Sequence, residues 1–441
     1  MLWRIPFRSY LIPLAMGILY LFIGYFTTRE QSVQFLVLSF GLFGLTYFSV
    51  QKISINQILW QGLLYRAVLL ITLPWLSQDF YRFIWDGLLL FNELNPYAYT
   101  PNELIEQPHL FSPALTEVLH KNMGELSAGH YSNYPPINQL GFLFSILWES
   151  NSLFTSIIMM RLLLIAADIG VFFLGKQLLK FFGFAQERIG WYFLNPLVLI
   201  ELTGNLHWEG VMLFFFALGW WLYVHKKLWL SSFAFALSIG TKLIPLLLVP
   251  VFVRYQSWRK SALMACAGLL SLVLLFLPFF KDIGMENYLA TIQLWFKNFE
   301  FNGSLYYIAR WIGYEIKGYN IIRQLGEVTP WIIVLIVLIF SCLKPKKNAK
   351  QVFRAMLLLL SCYYFMASIV HPWYIISLVF LSLFTRFSYP LFWSALVLLS
   401  YVTYAHPSFQ ENYYLIGIEY GIVFAVLGYE LVKKRSLLQH F

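Results

Sequence analysis

The segment AVLLITLPWLSQDFYRFIWDG, residues 67–87, changes within a few positions from a continuous apolar run to two carboxylates, an arginine and a tryptophan. Apolar runs like its first half follow one another from residue 11 to residue 431, and many approach the roughly 20 residues that a helix needs to cross a bilayer. Hydrophobic residues make up 59% of the chain, charged residues 12%, and the mean hydropathy is +0.66. Soluble domains do not have such a composition, so the sequence predicts an all-α, polytopic transmembrane protein.

The net charge of +10 comes from Lys and Arg residues that are scattered singly between the apolar runs. This distribution indicates membrane topology rather than a nucleic-acid-binding face. The first apolar run, residues 11–26, is longer than a signal-peptide core and is expected to be retained. All three cysteines, Cys266, Cys342 and Cys362, lie inside or at the ends of apolar runs, which argues against disulfides and thiolate metal sites.

The positive-inside tendency gives a consistent topology when the N-terminus is cytoplasmic. Helices at 11–26, 33–50 and 58–76 then lead to an acidic outer loop, residues 77–136, and a second outer segment covers residues 281–329. We expect about 12–14 transmembrane helices. They form a single integral membrane domain, residues 1–441.

Several elements of this topology are too short to span. Residues 137–148 are expected to dip into the membrane and return, or to lie at its surface. Residues 231–253 are predicted to form two half-length helices that meet at Lys242, close to the outer face. Surface helices are expected at 113–123 and 287–299.

The same topology places five polar clusters on the outer side, whereas the cytoplasmic loops carry plain Lys and Arg anchors. These clusters are GHYSNYPP (129–136), GNLHWEG (204–210), FNGSLYYIAR (301–310), HPWY (371–374) and YAHP (404–407). His, Asp, Glu and Tyr are residues of acid–base catalysis, and aromatic rings stack on sugars and cations. The sequence therefore predicts an active or binding site at the outer face.

The stretch DFYRFIWDG opens the first outer loop. If it is helical, Asp79, Arg82 and Asp86 lie at positions i, i+3 and i+7 and share one face. One interpretation is an interfacial salt-bridge triad, in which Arg82 neutralises both carboxylates. The other is a carboxylate presented to a substrate at the membrane surface.

Seven stretches, in this order along the chain, resemble the polytopic, lipid-sugar-dependent glycosyltransferases of the GT-C type, in particular bacterial mannosyltransferase-like members. They are DFYRFIWDG, NPYAYTP, YPPINQ, NPLVLIELTGNLHWEG, KLIPLLLVP, FNGSLYYIAR and HPWY. An acidic residue early in the first large external loop is the catalytic base of that superfamily, and the resemblance gives this role to Asp79. The sequence departs from the family pattern at Glu93, where relatives commonly have glycine before NPY.

The resemblance implies a polyprenyl-phosphate sugar as donor, with mannose as the sugar, and a lipid-linked or glycan acceptor. It places the enzyme in the bacterial cytoplasmic membrane with its active site on the outer face. A nucleotide-sugar enzyme would instead need a Rossmann-like domain for the diphosphate, and no hydrophilic segment of the chain is long enough to build one. Transfer from a lipid phosphate needs a base for the acceptor hydroxyl and cations for the departing phosphate.

The candidate site residues follow from these requirements. The predicted catalytic residues are Asp79 and Asp86, and the predicted contacts of the donor phosphate are Lys242, Arg310 and His371. Further substrate-binding candidates are Arg82, Trp85, Tyr134, Asn205, His207, Glu209 and Trp373. No metal site is predicted, because no third ligand stands at a fixed spacing from His207 and Glu209; use of a divalent cation stays open.

Each of these side chains also has a structural interpretation. Lys242 can snorkel to the interface, and His371 can cap the helix that follows it. The tryptophans and Tyr134 can belong to the aromatic belt of a membrane protein. His207 and Glu209 can form an interfacial hydrogen-bonded pair.

Two other functions share the topology. A transporter or flippase is favoured by Arg161 and Asp168, because ionisable groups within the bilayer often mark a pathway. These residues can instead pair with neighbouring helices, for example with Glu201. A ligase or polymerase that moves whole glycans from a lipid diphosphate would have the same topology. Only the motif resemblance separates it from the predicted enzyme.

The predicted topology can be tested with a cysteine introduced at Ser112, in the acidic outer loop. We expect a membrane-impermeant thiol reagent to label Ser112→Cys in intact cells. Labelling only after the cytoplasmic side has been opened would contradict the outer position of this loop.

Overall fold

A computed structural model describes residues 8–106, 113–280, 284–342, 348–405 and 409–438. Helices account for 76% of the structure, and the described residues contain no strand. The prediction of an all-α fold is confirmed. Ser112, residues 281–283 of the second outer segment and residues 406–407 of the YAHP cluster lie outside the described residues.

The α-helices follow one another along the chain as α1 Arg8–Phe26, α2 Ser32–Val50, α3 Ile55–Leu69, α4 Asp79–Phe91, α5 Pro101–Ile105, α6 Pro113–Met123, α7 Glu125–Ala128, α8 Pro136–Ile146, α9 Leu153–Phe181, α10 Gly190–Phe193, α11 Pro196–Val198, α12 Glu209–Val224, α13 Leu228–Thr241, α14 Val249–Val253, α15 Trp258–Phe276, α16 Gly284–Asn298, α17 Leu305–Lys317, α18 Ile322–Cys342, α19 Ala349–Met366, α20 Ile375–Ser382, α21 Tyr389–Leu396 and α22 Tyr413–Lys433.

Five helices, α2, α9, α15, α18 and α22, are long and apolar enough to cross a membrane. Shorter apolar helices are Leu11–Phe26, Glu209–Val224, Leu228–Thr241, Ile244–Val253, Pro372–Ser382 and Tyr389–Ala405. On α18, large apolar side chains point outward, with Trp331 75% and Leu335 56% exposed. Such a surface fits lipid rather than water. The chain is an integral membrane protein, and the number of its crossings stays a prediction.

The predicted helices at 11–26 and 33–50 lie within α1 and α2. The third, at 58–76, begins earlier and ends at Leu69. Its start is fixed by a capping box, in which the side chain of Ser54 accepts a hydrogen bond from the backbone N–H of Gln57 and the Gln57 side chain accepts one in return. Its early end is consistent with Pro74, because a proline disfavours helical geometry in the residue before it.

The predicted break at Lys242 is confirmed. Helix α13 ends at Thr241, Lys242 has an extended backbone with φ −148° and ψ 141°, and a 3-10 helix, Ile244–Leu248, then leads into α14. Pro245 in this turn has no backbone N–H to continue the α-helical bonding.

The expected surface helices are present as α6 and α16, and the short segment at 137–148 forms α8. Their bounds agree with the predicted segments to within a few residues. Their position relative to the membrane stays a prediction.

The described chain divides into two compact units. The first contains residues 1–77, 168–207 and 371–441, and the second contains residues 78–167 and 208–370. The assignment of one integral membrane domain to residues 1–441 stays a prediction.

In the second unit, α4 packs closely against α8. A Cβ atom at Gly87 would lie 2.5 Å from the carbonyl oxygen of Phe142, so only glycine allows this approach. Beside this contact the rings of Phe83 and Phe142 stack, with centroids 4.7 Å apart and an interplanar angle of 7°. The two helices therefore meet through backbone as well as side chains.

Helix α4 ends in a Schellman motif. The N–H of Leu94 donates to the carbonyl of Leu89 at 2.8 Å, and the N–H of Glu93 donates to that of Leu90 at 3.1 Å. The motif requires a left-handed residue, usually glycine. Here that residue is Glu93, with φ +61°, which gives a physical reason for glycine before NPY in the resembled family.

We expect Glu93→Gly to stabilise the protein by about 1 kcal/mol. A left-handed backbone costs a residue with a Cβ about 1–2 kcal/mol, and the greater freedom of glycine in the unfolded chain offsets part of that gain. Glu93→Ala keeps the Cβ and should give no such increase. Thermal unfolding of both variants in detergent measures the difference, and a Glu93→Gly protein no more stable than Glu93→Ala would contradict the assignment of strain.

Candidate functional site

Asp86 on α4 is fully buried, and both of its carboxylate oxygens accept hydrogen bonds. Oδ1 accepts from Nε of Arg82 at 2.7 Å. Oδ2 accepts from Oγ of Ser132 at 2.5 Å and from Nε2 of Gln139 at 3.0 Å. A buried charge needs such partners because its desolvation is costly. Asp86 thus ties α4 to α8 and to the loop before α8.

Arg82 extends this network to α7 and to the same loop. Its Nη1 donates to the carbonyl oxygens of Ser127 at 2.5 Å and His130 at 2.9 Å. The side chain is 4% exposed, so the pair with Asp86 is a buried ion pair rather than an interfacial one. Nη2 is also buried and has no hydrogen-bond partner within the described residues.

Asp79 is the first residue of α4 and is partly exposed. A carboxylate is favourable there because the helix N-terminus carries partial positive charge. The stretch DFYRFIWDG is helical, so Asp79 and Arg82 lie three positions apart on one helix. Asp79 therefore lies at the N-terminal end of α4, the helix that Asp86 anchors.

The NPY stretch is held against the YPP stretch in the second unit. The hydroxyl of Tyr97 donates to the carbonyl of Tyr134 at 2.6 Å. Burial raises the pKa of Tyr97 well above its ordinary value, so the hydroxyl stays protonated as a donor. Asn95 donates to the carbonyl of Phe279 at 2.7 Å, and Asn287 donates to that of Tyr97 at 3.0 Å. These contacts also connect the segment after α4 to α16.

Lys242, at the break after α13, forms an ion pair with Glu209, the first residue of α12. The side chain of Lys242 is 20% exposed, whereas that of Glu209 is 2% exposed. Lys242 therefore compensates a buried carboxylate, in addition to any contact with a substrate.

Arg310 on α17 also has a carboxylate partner, Glu300. Glu300 accepts a second hydrogen bond from the side-chain amide of Asn320. The guanidinium of Arg310 lies over the ring of Tyr307, 4.5 Å from its centroid. This cluster links α17 to the segments that precede and follow it.

The first unit contains a separate polar network around Glu201. Its Oε2 accepts from Nδ2 of Asn205 at 3.0 Å and lies 3.0 Å from Nδ1 of His207. Its Oε1 accepts from the hydroxyl of Tyr401 at 2.7 Å. Glu201 and these partners are buried, so the network fixes the direction of the His207 ring.

His207 is also part of an aromatic stack with HPWY. The ring of Trp373 lies 3.6 Å from that of His207 and 4.4 Å from that of His371, with interplanar angles of 22° and 10°. The two predicted substrate-binding residues His207 and Trp373 are thus brought together with His371, a predicted phosphate contact.

The two other aromatic candidates lie within the second unit. Trp85 is 1% exposed, and its ring lies 6.2 Å from that of His120. The ring of Tyr134 packs edge-on against Phe83, with centroids 4.9 Å apart. Both rings therefore contribute to packing around α4.

Sequence reasoning did not identify Ser132, Gln139, Glu201 and Tyr401 as parts of these networks. Glu201 left one signal, since it is a lone carboxylate in an apolar run. It also lies in a π-helix, Leu199–Gly204, a geometry that is frequent at functional sites. Ser132 and Gln139 lie in the stretches GHYSNYPP and YPPINQ, but the sequence did not indicate Asp86 as their partner, because polar residues in a loop and at the start of a helix do not reveal a distant contact.

Of the two charged residues that favoured a transporter, Asp168 has a structural explanation. Asp168 accepts from Nε of Arg66 at 2.9 Å and from the hydroxyl of Tyr192 at 2.8 Å. Arg66 and Asp168 are each 1% exposed, so they form a buried pair that stabilises the first unit. Arg161 is fully buried in the second unit.

Across the described residues, the acidic, cysteine and histidine side chains form no group of three that could hold a metal ion.

The profile of the MptA/B family, described as alpha-(1->6)-mannopyranosyltransferase, N-terminal domain, matches residues 9–257. The match covers more than half of the chain, so the protein belongs to this family. Comparison with curated proteins finds no match. The protein is a membrane glycosyltransferase of the mannosyltransferase kind. The matched region contains Asp79, Asp86 and the Lys242–Glu209 pair, whereas Arg310 and His371 lie beyond it.

We expect Arg82→Met to lower the stability of the protein by about 3–5 kcal/mol, because it leaves the buried carboxylate of Asp86 without its counter-ion. The double variant Arg82→Met/Asp86→Leu removes both charges and should regain part of this loss. Thermal unfolding in detergent measures the effect.

A matched control is Arg29→Met, because the pair of Arg29 with Glu30 is 34% and 62% exposed. Its loss should cost less than about 1 kcal/mol. An Arg82→Met protein no less stable than this control would contradict the anchoring role of the Arg82–Asp86 pair.

Proposed function

We propose that this member of the alpha-(1->6)-mannopyranosyltransferase family is a GT-C type enzyme that uses a polyprenyl-phosphate mannose as donor. The acceptor is a lipid-linked or glycan hydroxyl at the outer face of a bacterial cytoplasmic membrane. Family membership supports the transfer of mannose. The acidic outer loop and the lack of a long hydrophilic segment for a nucleotide-binding domain support a donor that arrives through the membrane.

The base in this proposal is Asp79. It takes the proton of the acceptor hydroxyl while the hydroxyl oxygen attacks C1 of the mannosyl group. The bond between C1 and the phosphate oxygen breaks, and the phosphate leaves with the electron pair. Cations stabilise this leaving group; Lys242, Arg310 and His371 stay the predicted contacts.

The hydrogen bonds of Asp86 are the observation that distinguishes the roles of the two carboxylates, Asp79 and Asp86. A base must meet the acceptor hydroxyl within hydrogen-bond distance, and both oxygens of Asp86 are already occupied by Arg82, Ser132 and Gln139. Asp86 suits the positioning of Arg82 and α4 instead. Asp79, at the partly exposed start of the same helix, suits contact with a substrate.

The other candidate residues differ in how far their contacts support a role in substrate binding. The buried Nη2 of Arg82 is a donor suited to a substrate oxygen. An ammonium has three N–H donors, so the contact of Lys242 with Glu209 is compatible with a further contact to a phosphate oxygen. Trp85, Tyr134, Asn205, His207, Glu209 and Trp373 stay predicted substrate-binding residues.

The donor class can be tested with purified protein and a panel of polyprenyl-phosphate sugars, with polyprenyl-diphosphate glycans as the competing class. We expect release of polyprenyl phosphate from the mannosyl donor and none from the diphosphates. Turnover of the diphosphate donors alone would favour a glycan ligase and contradict the proposal.

We expect Asp79→Asn to lower kcat on the order of 100- to 10,000-fold, because the amide keeps the size of the side chain but cannot accept a proton. Asp86→Asn should lower kcat less and should lower thermal stability more, since it replaces an acceptor in a buried network. Transfer rates and unfolding temperatures of both variants check the comparison. Near-normal turnover by Asp79→Asn with an inactive but folded Asp86→Asn would assign the base to Asp86.

A further inference from the structure

One face of α8 is covered by the indole of Trp208. Asn138, Gly141 and Phe142 share this face, because they lie at positions i, i+3 and i+4. A Cβ atom at Gly141 would lie 1.9 Å from the Trp208 ring, and the rings of Phe142 and Trp208 meet edge-on with centroids 5.2 Å apart. The indole thus rests directly on the backbone of α8, next to the turn that carries Asn138.

Asn138 is fully buried on this face, and neither its Nδ2 nor its Oδ1 has a hydrogen-bond partner within the described residues. Its neighbour Gln139 behaves differently, since its Nε2 donates to Asp86 at 3.0 Å and to Ser132 at 2.7 Å. Buried polar groups in native proteins are nearly always hydrogen-bonded, and each exception calls for an explanation such as a ligand.

Two more polar atoms share the property, one on the residue that covers this face and one on the residue after it. Nε1 of Trp208 and Oε2 of Glu209 are buried, and neither has a hydrogen-bond partner in the described part of the chain. The other oxygen of Glu209 is paired with Lys242. The contact between Trp208 and Gly141 joins the two segments that carry these three groups, the start of α8 and the start of α12.

We propose that Asn138, Trp208 and Glu209 form a binding subsite for vicinal hydroxyl groups of the donor's mannosyl ring, an inference that rests on the proposed function. The amide both donates and accepts, the indole donates, and the carboxylate accepts, which matches a pair of sugar hydroxyls. Lys242 balances the charge of Glu209, so the group suits a neutral polyol rather than an anion. The indole adds an apolar ring face for the sugar C–H groups.

The Lys242–Glu209 pair connects this subsite to the phosphate of the donor. In a polyprenyl-phosphate sugar the phosphate is bonded directly to C1 of the sugar, so the two groups need adjacent binding sites. Glu209 serves the sugar, and Lys242, which is partly exposed, serves the phosphate. All three polar groups are buried, so a sugar reaches them only when side chains around the subsite move.

The test uses Asn138→Leu, which replaces the amide with an apolar group of similar size. Removing an unsatisfied buried amide should raise the unfolding temperature. The same change should lower kcat/KM for polyprenyl-phosphate mannose about 10- to 100-fold, as expected when a hydrogen-bonding contact to the substrate is lost.

Donors that lack one hydroxyl separate a binding role from a packing role. Wild-type protein should discriminate against at least one monodeoxy-mannosyl donor by about tenfold or more, and Asn138→Leu should lose that discrimination. Trp208→Phe keeps a ring but removes the N–H donor, so it provides the same comparison should Asn138→Leu fail to fold. Ser145→Ala is the matched control, because Ser145 is buried on the same helix and its hydroxyl donates to Phe142 at 2.7 Å.

Unchanged discrimination against the monodeoxy-mannosyl donors in both Asn138→Leu and Trp208→Phe would overturn the subsite. An ordered water would then be the partner of Asn138. A change in acceptor dependence alone would also overturn it. Methyl α-mannoside distinguishes failure of the inference from failure of the proposed donor. If no polyprenyl-phosphate donor is used but methyl α-mannoside raises the unfolding temperature of wild type and Ser145→Ala and not of Asn138→Leu, the subsite stands without that donor.

Discussion

The buried carboxylate of Asp86 is the constraint on which the second unit depends. A charge removed from water must be compensated by nearby donors. Three segments supply these donors: Arg82 lies on the same helix, Ser132 in the loop before α8, and Gln139 on α8. Because the donors must all reach one group, the positions of α4, α8 and the loop between them are fixed relative to each other. The orientation of Asp79 and Arg82 follows from that arrangement.

Other buried polar and ionisable groups of the described residues fall into two kinds. Asp168 is bonded to Arg66 and Tyr192, and Glu430 accepts from the backbone N–H groups of Ser388, Tyr389 and Leu437; these carboxylates have the partners that a stable fold requires. Glu209 and the amide of Asn138 retain atoms for which the described residues offer no partner. Intramembrane polar groups are often functional, and this difference in bonding separates structural pairs from candidate binding groups.

Stability and activity place opposite demands on the buried polar groups that retain atoms without a partner among the described residues. A buried polar atom without a partner lowers the free energy of unfolding, so a core built for stability alone would replace Asn138 with an apolar side chain. Retaining it is consistent with a substrate that supplies the missing bonds. The same reasoning applies to Nη2 of Arg82, whose other nitrogen atoms are bonded within the protein.

The sequence by itself determined the features that depend on neighbouring residues. Apolar runs predicted the membrane helices, and the short segments around Lys242 predicted the break there, because hydropathy is a local property. The spacing of Asp79, Arg82 and Asp86 placed them on one face of any helix formed there, because helical periodicity is local as well. Only the tertiary structure decided which groups meet. Ser132 and Gln139 lie 46 and 53 residues from Asp86, and Tyr401 lies 200 residues from Glu201. Hydrogen bonds between such distant positions arise from helix packing, which no local pattern encodes; for the same reason only the packed structure reveals that the amide of Asn138 is buried without a partner.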